Sequence, residues 1–250
     1  MANPTTMPLH TIEPKRLYRQ IADQVRALVE QGEFPPGSRL PAERELAQLL
    51  GVSRPSVREA LIALEVEGLV EVRMGSGIYV REASHGRAAP VMAEPPLETI
   101  RAREVIESEL AARAAQSMKA PQLRGLREAI ALMKEEAAQG QLPTQGDRLF
   151  HVRIAESVGN AVLTRVVTEL YDERHNPLFA QLGSHFENIA SWRLAIAEHQ
   201  AVVDAIAAHD VAAARTAMSR HLTLSHDRFT ASWQQPAAPA GSRRRQETTP

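Results

Sequence analysis

Apolar residues recur at helical spacing along most of the chain. In the first third, the pattern over 21–29 ends at a glycine and predicts a first helix. Residues 42–50 predict a short second helix. Residues 51–53 interrupt the pattern, and Ser53 is the predicted cap of a third helix that runs through residue 67. Two apolar runs, 69–72 and 78–80, flank a glycine-rich segment and predict a β-hairpin. This order of elements predicts a winged helix-turn-helix with a small β-hairpin wing.

The remainder of the chain shows helical periodicity alone, which predicts an all-α helical bundle and a mainly α protein overall. The predicted helices of the bundle are 98–118, 121–139, 145–158, 160–175, 185–209 and 211–232. The predicted organisation is a flexible N-terminus 1–14, a first domain 15–82, a proline-containing linker 83–97, a second domain 98–233 and a disordered tail 234–250.

Composition excludes several kinds of chemistry. The 250 residues include no cysteine, so disulfides, iron–sulfur clusters, thiolate zinc sites and a cysteine nucleophile are excluded. The longest apolar stretch is shorter than the roughly 18–20 residues that a membrane span needs, and the start of the chain lacks a secretory signal pattern. We therefore expect a cytoplasmic protein with no membrane partner.

Charge does not identify a nucleic-acid-binding protein by itself. The net charge is −1, and residues 1–82 carry ten Lys and Arg against eleven Asp and Glu. The overall basic surface that often accompanies nucleic-acid binding is absent. If this chain binds DNA, a few well-placed cationic side chains have to provide the attraction to DNA, because the net charge does not.

Such positions occur at the start of the third predicted helix. Arg54 and Arg58 are one turn apart there, where a helix-turn-helix protein meets base edges, and arginine paired with guanine is the commonest specific contact. The alternative is a solvated helix face with two surface arginines. The complete set of candidate DNA contacts is Arg39, Arg44, Ser53, Arg54, Ser56, Arg58, Arg73 and Gly75.

Histidine positions in the second half suggest a metal site. Asp147 and His151 are four residues apart and share a helix face, His199 lies in a long helix and His221 lies in the last helix. Facing helices of a bundle can bring such groups together around Zn²⁺, Ni²⁺ or a similar divalent ion. An Asp and a His at this spacing are also common as a hydrogen-bonded surface pair, so spacing alone leaves both interpretations open.

The motifs of the first domain resemble those of a known family. The segments LPAERELA, VSRPSVREAL and EGLVE, followed by GSG, are similar to the N-terminal domain of the GntR family of bacterial transcription regulators. The resemblance implies a regulator that binds operator DNA. We expect it to act as a homodimer, because one recognition helix covers only a few base pairs and specific sites usually contain two half-sites. The resemblance also implies that Arg44, Arg54 and Arg58 contact bases or phosphates, and that Gly75 is the glycine of the wing.

The second domain resembles the helical ligand-binding domain of the fatty-acid-regulator branch of this family. The similarity rests on RAREVIESELAARAA, DRLFH and EHQAVVDAIAAHDVAAARTAMSRHL. The resemblance implies that Asp147, His151, His199 and His221 ligate a divalent metal ion, expected to be Zn²⁺, Ni²⁺ or Mn²⁺.

A metal held by four protein ligands leaves positions for an effector carboxylate and hydroxyl. Arg103 is the natural second contact for the carboxylate, because its guanidinium is planar and permanently charged. The alternative for Arg103 is an ion pair with Glu107 on a solvated face. Further candidate effector contacts are Arg148, Arg174, Asn176, Trp192 and Ser225.

A looser resemblance concerns the effector. The segments DRLFHVRIAESVGNAVLTRVV and RHNPLFAQL look like those of hexuronate-catabolism repressors. This implies a repressor that a sugar acid releases from its operator, with another hydroxy- or keto-acid such as lactate or gluconate as the alternative. A metal-dependent hydrolase is a further alternative, but no HExxH motif and no evident general base accompany the histidines. The sequence therefore predicts a regulator and no enzyme.

Overall fold

The computed structural model describes residues 16–82 and 92–231. The predicted flexible N-terminus, most of the predicted linker and the predicted C-terminal tail lie outside the described residues. The described part forms ten α-helices, one 3₁₀ turn and two β-strands. The prediction of a mainly α protein is confirmed.

Three helices open the first unit: α1 (Leu17–Glu30), α2 (Glu43–Leu50) and α3 (Arg54–Val66). Gly51 ends α2 in the left-handed region with φ of 66°, where glycine avoids a side-chain clash. The Ser53 hydroxyl then caps α3 by accepting the Ser56 backbone N–H at 3.3 Å. These local signals make a tight turn between α2 and α3, and the predicted helix-turn-helix is present.

A two-stranded hairpin follows α3. Strand β1 (Val70–Arg73) pairs antiparallel with β2 (Gly77–Val80), and Val72 lies opposite Ile78. Gly75 at the turn has φ of 75°, which the connection requires and glycine permits. The backbone of Arg39 adds an isolated bridge to Tyr79, so the segment before α2 borders the wing.

Seven helices and a short 3₁₀ turn form the second unit. They are α4 (Pro96–Ser117), α5 (Ala120–Ala138), α6 (Thr144–Ser157), α7 (Ala161–Asp172), the 3₁₀ turn Glu173–His175, α8 (Pro177–Phe186), α9 (Ile189–Ala207) and α10 (Val211–Thr230). The predicted all-α bundle is confirmed.

The prediction of a single helix over 185–209 was wrong at its N-terminal end. The Asn176 side chain caps α8 by accepting the Phe179 N–H at 2.8 Å, with Pro177 in the first turn. The Asn188 side chain starts α9 by accepting the Ser191 N–H at 3.0 Å. The prediction also missed most of α8, because it left residues 176–184 outside any helix.

Buried apolar side chains form two clusters. One cluster fills the second unit between α4, α5, α6, α9 and α10. The other fills the first unit but also includes Leu178, Phe179 and Leu182 from α8 and Phe229 from α10. The first unit is therefore completed by side chains of the second, and each fully buried apolar side chain stabilises the fold by about 1.5–3 kcal/mol.

Among residues 16–82 and 92–231, no helix combines the length and the apolar character that a membrane crossing requires.

Candidate metal centre and nucleic-acid interface

The structure brings together all four residues predicted as metal ligands. Asp147 and His151 lie one turn apart on α6, His199 lies on α9 and His221 lies on α10. One possible ligand atom from each residue lies within 4.8 Å of all the others, and all four side chains are buried. The predicted convergence of three helices on one point is present.

The distances within this cluster fit a metal ion. His199 Nε2 is 2.9 Å from Asp147 Oδ1 and 3.3 Å from His151 Nε2, and His151 Nε2 is 3.5 Å from Asp147 Oδ1. Metal–ligand bonds of about 2.0–2.2 Å place neighbouring ligand atoms about 3.0–3.5 Å apart in octahedral or tetrahedral geometry. The imidazole and carboxylate donors suit a divalent transition metal.

Each histidine of the cluster has an acceptor for its other ring nitrogen. His199 Nδ1 lies 2.7 Å from the Ala195 carbonyl oxygen, and His221 Nδ1 lies 2.9 Å from Glu198 Oε2. His151 Nδ1 contacts a Glu107 carboxylate oxygen. Acceptors in these positions hold the proton on Nδ1 and direct the Nε2 lone pairs towards the common centre.

The Asp147 carboxylate is also oriented by a neighbour, since the Tyr171 hydroxyl donates to its Oδ2 at 2.7 Å. Burial raises the pKa of Asp147, but the contacts of its carboxylate with the His151 and His199 rings outweigh burial and hold this pKa well below the ordinary value. Burial lowers the pKa of His221 to about 3. An ionised carboxylate and a neutral imidazole are the forms that bind metal ions.

A cavity that opens to solvent adjoins this cluster. Arg103 on α4 lines the cavity and is 3% exposed. Its Nε donates to Glu107 Oε1 at 2.6 Å, so the ion pair that was the alternative for Arg103 exists, but it is buried instead of solvated. Burial raises the pKa of Glu107, yet Arg103 and His151 outweigh burial and lower it to about 2.

Two residues that line the cavity each have a buried donor atom with no hydrogen-bond partner among the described residues. These atoms are Arg103 Nη2 and Trp192 Nε1. Arg174 lies in the same wall, where it pairs with Glu187, and its guanidinium carbon is 5.5 Å from the Trp192 ring centre. A cavity with two guanidinium groups and an unused indole N–H is suited to an anionic ligand with several oxygen atoms.

The remaining predicted effector contacts divide into two groups. Ser225 lines the cavity. Arg148 instead pairs with Asp172 at 2.7 Å and lines a separate depression. The Asn176 side chain caps α8 and donates to the Glu94 carbonyl oxygen at 3.1 Å. The structure places Arg148 and Asn176 outside the cavity because both side chains are used in local contacts.

Three predicted DNA contacts lie around one concave surface between α2, α3 and the wing. Arg39, Arg44 and Arg54 line this surface together with Gly77. The Arg54 side chain is 48% exposed, and its Nε donates to Glu43 Oε1 at 2.8 Å. Arginine side chains that line one surface between a helix-turn-helix and a wing are suited to contact a duplex.

Arg58 lies elsewhere. It is 1% exposed, its Nη2 lies 2.6 Å from Glu43 Oε2 and its Nη1 donates to the Phe229 carbonyl oxygen at 2.5 Å. Burial lowers the pKa of Arg58 below its ordinary value. In this structure Arg58 does not contribute to the exposed arginine surface, which the spacing of Arg54 and Arg58 did not reveal.

The other predicted contacts border the same side of the first unit. The hydroxyl oxygens of Ser53 and Ser56 are 2.9 Å apart at the start of α3. Arg73 pairs with Glu71 at 2.9 Å, and its guanidinium carbon is 4.6 Å from the Tyr79 ring centre. Gly75 is exposed in the wing turn, where its backbone is accessible.

Sequence reasoning missed the hydrogen-bond partners that orient the candidate metal ligands. Glu107, Tyr171 and Glu198 were not predicted to take part in the site. A signal existed for Glu198, which directly precedes His199, but contact with His221 on another helix depends on packing. For Glu107, spacing indicated a partnership with Arg103 and gave no sign of the bond to His151.

Comparisons with known proteins agree with this architecture. Residues 17–80 match the family described as bacterial regulatory proteins, gntR family, and residues 98–224 match the FCD domain. The Uxu operon transcriptional regulator of Escherichia coli (strain K12) is 35% identical over 217 residues, covering 83% of this chain and 84% of that protein.

Two further relatives have similar coverage. The Exu regulon transcriptional regulator of Escherichia coli (strain K12) is 36% identical over 222 residues, covering 84% of this chain and 83% of that protein. A protein of the same strain named for the L-lactate dehydrogenase operon is 35% identical over 239 residues, covering 85% and 86%.

Among solved structures, the chain is similar to E. coli McbR/YncC, with a TM-score of 0.48 and 22% identity over 86% of this chain and 98% of the other. The two matched domains account for most of the described residues. The chain therefore belongs to the GntR family of bacterial transcription regulators, in the branch that carries a C-terminal FCD domain, and it is a regulator and not an enzyme.

Proposed function

We propose that this protein represses a sugar-acid catabolic operon and that a hexuronate-like carboxylate, bound in the cavity beside the Asp147 cluster, releases it from its operator. The observation that carries this proposal is the pair of buried donors, Arg103 Nη2 and Trp192 Nε1, on two residues that line that cavity. Buried donors without acceptors cost stability, and a ligand with oxygen acceptors removes this cost.

The charges around the cavity favour an anion. Arg103 and Arg174 both line it, and their partners Glu107 and Glu187 already use part of each guanidinium. Arg103 Nη2 remains available to a carboxylate oxygen, while Trp192 Nε1 suits a hydroxyl or carbonyl oxygen. A hydroxy acid supplies both kinds of acceptor in one small molecule.

A divalent ion completes this arrangement. Asp147, His151, His199 and His221 would hold it, and Zn²⁺, Ni²⁺ and Mn²⁺ are the candidates that the donor set supports. When bound, the ion supplies positive charge for an effector oxygen. The protein's own contribution is the fixed direction of the three imidazole rings and a buried guanidinium beside them.

The class of effector is supported by the relatives. Two of them are named for the Uxu operon and the Exu regulon, which supports galacturonate, glucuronate, fructuronate or a related sugar acid. A third is named for an L-lactate dehydrogenase operon, so lactate is the alternative of the same chemical kind. All are carboxylates with a neighbouring oxygen.

The DNA-bound form is proposed to be a homodimer on a short pseudo-palindrome. One recognition helix such as α3 covers only a few base pairs, and specific sites of this kind usually contain two half-sites. Light scattering of the protein with its operator measures the stoichiometry. A single chain per operator with undiminished affinity contradicts the dimer.

Thermal unfolding with and without galacturonate, glucuronate, fructuronate and lactate tests the effector. A ligand at 100 times its Kd stabilises the folded state by about 2.7 kcal/mol. Trp192→Phe retains an aromatic ring but removes the N–H, so we expect it to weaken effector binding about three- to tenfold. Leu194→Ala is the matched control, since Leu194 is 63% exposed on the same helix.

If the metal ion contributes to the effector site, removing it with a chelator should reduce the stabilisation of the folded protein by the effector. The proposed effector class is contradicted if none of the four acids shifts the unfolding temperature of the metal-loaded protein. Footprinting of the operator with saturating effector tests the direction, and tighter binding on addition of effector contradicts release.

A further inference from the structure

Helix α3 contacts both the predicted DNA surface and the C-terminal helices. At its N-terminal end Arg54 is exposed, whereas Arg58, one turn later, is enclosed. The Arg58 guanidinium donates to the carbonyl oxygen of Phe229 on α10, and its central carbon is 5.5 Å from the ring centre of Phe186 on α8. Arg58 cannot reach a base edge from this position, because α2, α8 and α10 surround its charged group.

The residues that enclose Arg58 also border the effector cavity. Phe186 and Phe229 both line the cavity beside the metal-ligand candidates. Their ring centres are 6.3 Å apart at an interplanar angle of 83°. These two residues therefore separate the cavity from Arg58, and a ligand that changes their packing acts directly on the position of the Phe229 carbonyl group.

Two more polar contacts join α3 to the second unit. Glu65 Oε2 lies 2.7 Å from His185 Nε2 on α8. Glu59 Oε1 accepts the backbone N–H of Leu97 at 2.9 Å, in the first turn of α4. Together with Arg58, these residues connect α3 to three different helices of the effector domain. We refer to the contacts of Arg58, Glu59 and Glu65 as the α3 interface.

We propose that the α3 interface withholds Arg58 from DNA, and that an effector in the cavity stabilises this closed arrangement through Phe186 and Phe229. In the open arrangement the Arg58 guanidinium leaves the Phe229 carbonyl group and joins Arg54 on the exposed surface. The inference rests on the proposed function, since it takes the cavity as the effector site. The effector shifts the equilibrium by its differential affinity for the two arrangements.

His185→Ala tests this coupling in the full-length protein. His185 lines neither the effector cavity nor the arginine surface, so the substitution weakens the α3 interface while leaving both sites intact. Loss of one hydrogen bond to a carboxylate raises the open fraction, and we expect the effector-free variant to bind operator about three- to tenfold more tightly. The galacturonate or glucuronate concentration for half-release should rise by a similar factor.

The matched control is His175→Ala. His175 is exposed and its Nδ1 contacts the Asp172 carbonyl oxygen within its own helical turn. We expect its operator affinity to equal that of the wild type. The DNA probe is a duplex selected from a random pool by the wild-type protein, and binding is measured by fluorescence anisotropy.

Unchanged or weaker operator binding by His185→Ala, with a normal far-UV spectrum, overturns the proposal. The DNA measurement requires no effector. If no sugar acid binds the wild type but His185→Ala still binds operator more tightly, the proposed effector class fails and control of Arg58 by the α3 interface is supported.

A distance measurement gives a second test. The chain has no cysteine, so Leu49→Cys on α2 and Val162→Cys on α7 introduce two unique label sites, both exposed. Doubly spin-labelled chains diluted with unlabelled protein report distances within one protomer. Operator should broaden or lengthen the distance distribution, and galacturonate should narrow it. Identical distributions in the free, operator-bound and galacturonate-bound protein overturn the proposal.

Discussion

Glu59→Gln removes a buried negative charge while keeping the shape of the side chain. Glu59 is 4% exposed, and burial raises the pKa of its carboxyl group from 4.5 to about 7. A raised pKa means that the folded state binds the proton more tightly than the unfolded state. The associated stability is fully present below about pH 4.5 and is lost as the pH rises through about 7.

The magnitude follows from the difference between the two pKa values. A shift of about 2.5 pH units corresponds to about 3 kcal/mol at about 1.4 kcal/mol per unit. Glutamine has no charge to desolvate and still offers an oxygen to the Leu97 N–H. We expect similar stability of the two proteins near pH 4.5 and an advantage for Glu59→Gln that grows to about 2–3 kcal/mol by pH 8.

Urea unfolding at several pH values from 4.5 to 8 measures this difference in the free energy of unfolding. The contributions of the other titrating groups cancel in the difference, because both proteins contain these groups. Glu128→Gln is the control, since that side chain is 69% exposed on α5. A difference between Glu59→Gln and wild type that stays constant across this pH range refutes the reasoning, because it would show that the Glu59 carboxylate is as well solvated in the folded state as in the unfolded chain.

Three further substitutions test the two sites. His221→Gln should reduce the bound metal measured by elemental analysis, whereas His226→Gln, outside the cluster, should not; equal metal content in both contradicts the ligand assignment. Arg54→Ala should cost about 1–3 kcal/mol of operator binding and relax the preference at one base pair, which titration against single-base variants measures. Arg73→Ala should weaken all sequences equally and reduce the slope of log affinity against log salt by about one, and a changed base preference argues against a phosphate contact.

The cluster of candidate metal ligands illustrates what sequence spacing can establish. Asp147 and His151 are separated by one helical turn, so their common face is fixed by local geometry. Whether His199 and His221 come close to Asp147 and His151 depends instead on how α9 and α10 pack. The sequence pattern is compatible with this packing but does not predict it. The resemblance to a family with the same four residues supplied the tertiary information that spacing lacked.

Arg58 illustrates the opposite case. Its position one turn after Arg54 predicts a shared exposed surface, because helix geometry places residues four apart close together. The structure buries Arg58 against Phe229, which is 171 residues further along the chain. No local pattern contains such a contact. The starts of α8 and α9 were more accessible, since Asn176-Pro177 and Asn188 are recognisable start signals that the prediction from apolar periodicity did not use.

The apolar cluster that the two units share makes the proposed regulation depend on temperature. Leu178, Phe179, Leu182 and Phe229 complete the core of the first unit, so any motion that parts the units exposes them to water. Exposed apolar surface raises the heat capacity, by about 0.45 cal/K/mol for each Å². Hydrophobic burial also weakens on cooling, so the balance between joined and parted units shifts with temperature at a constant effector concentration. If the two units must separate before the protein binds its operator, the heat-capacity change of binding is less negative than that of a rigid protein.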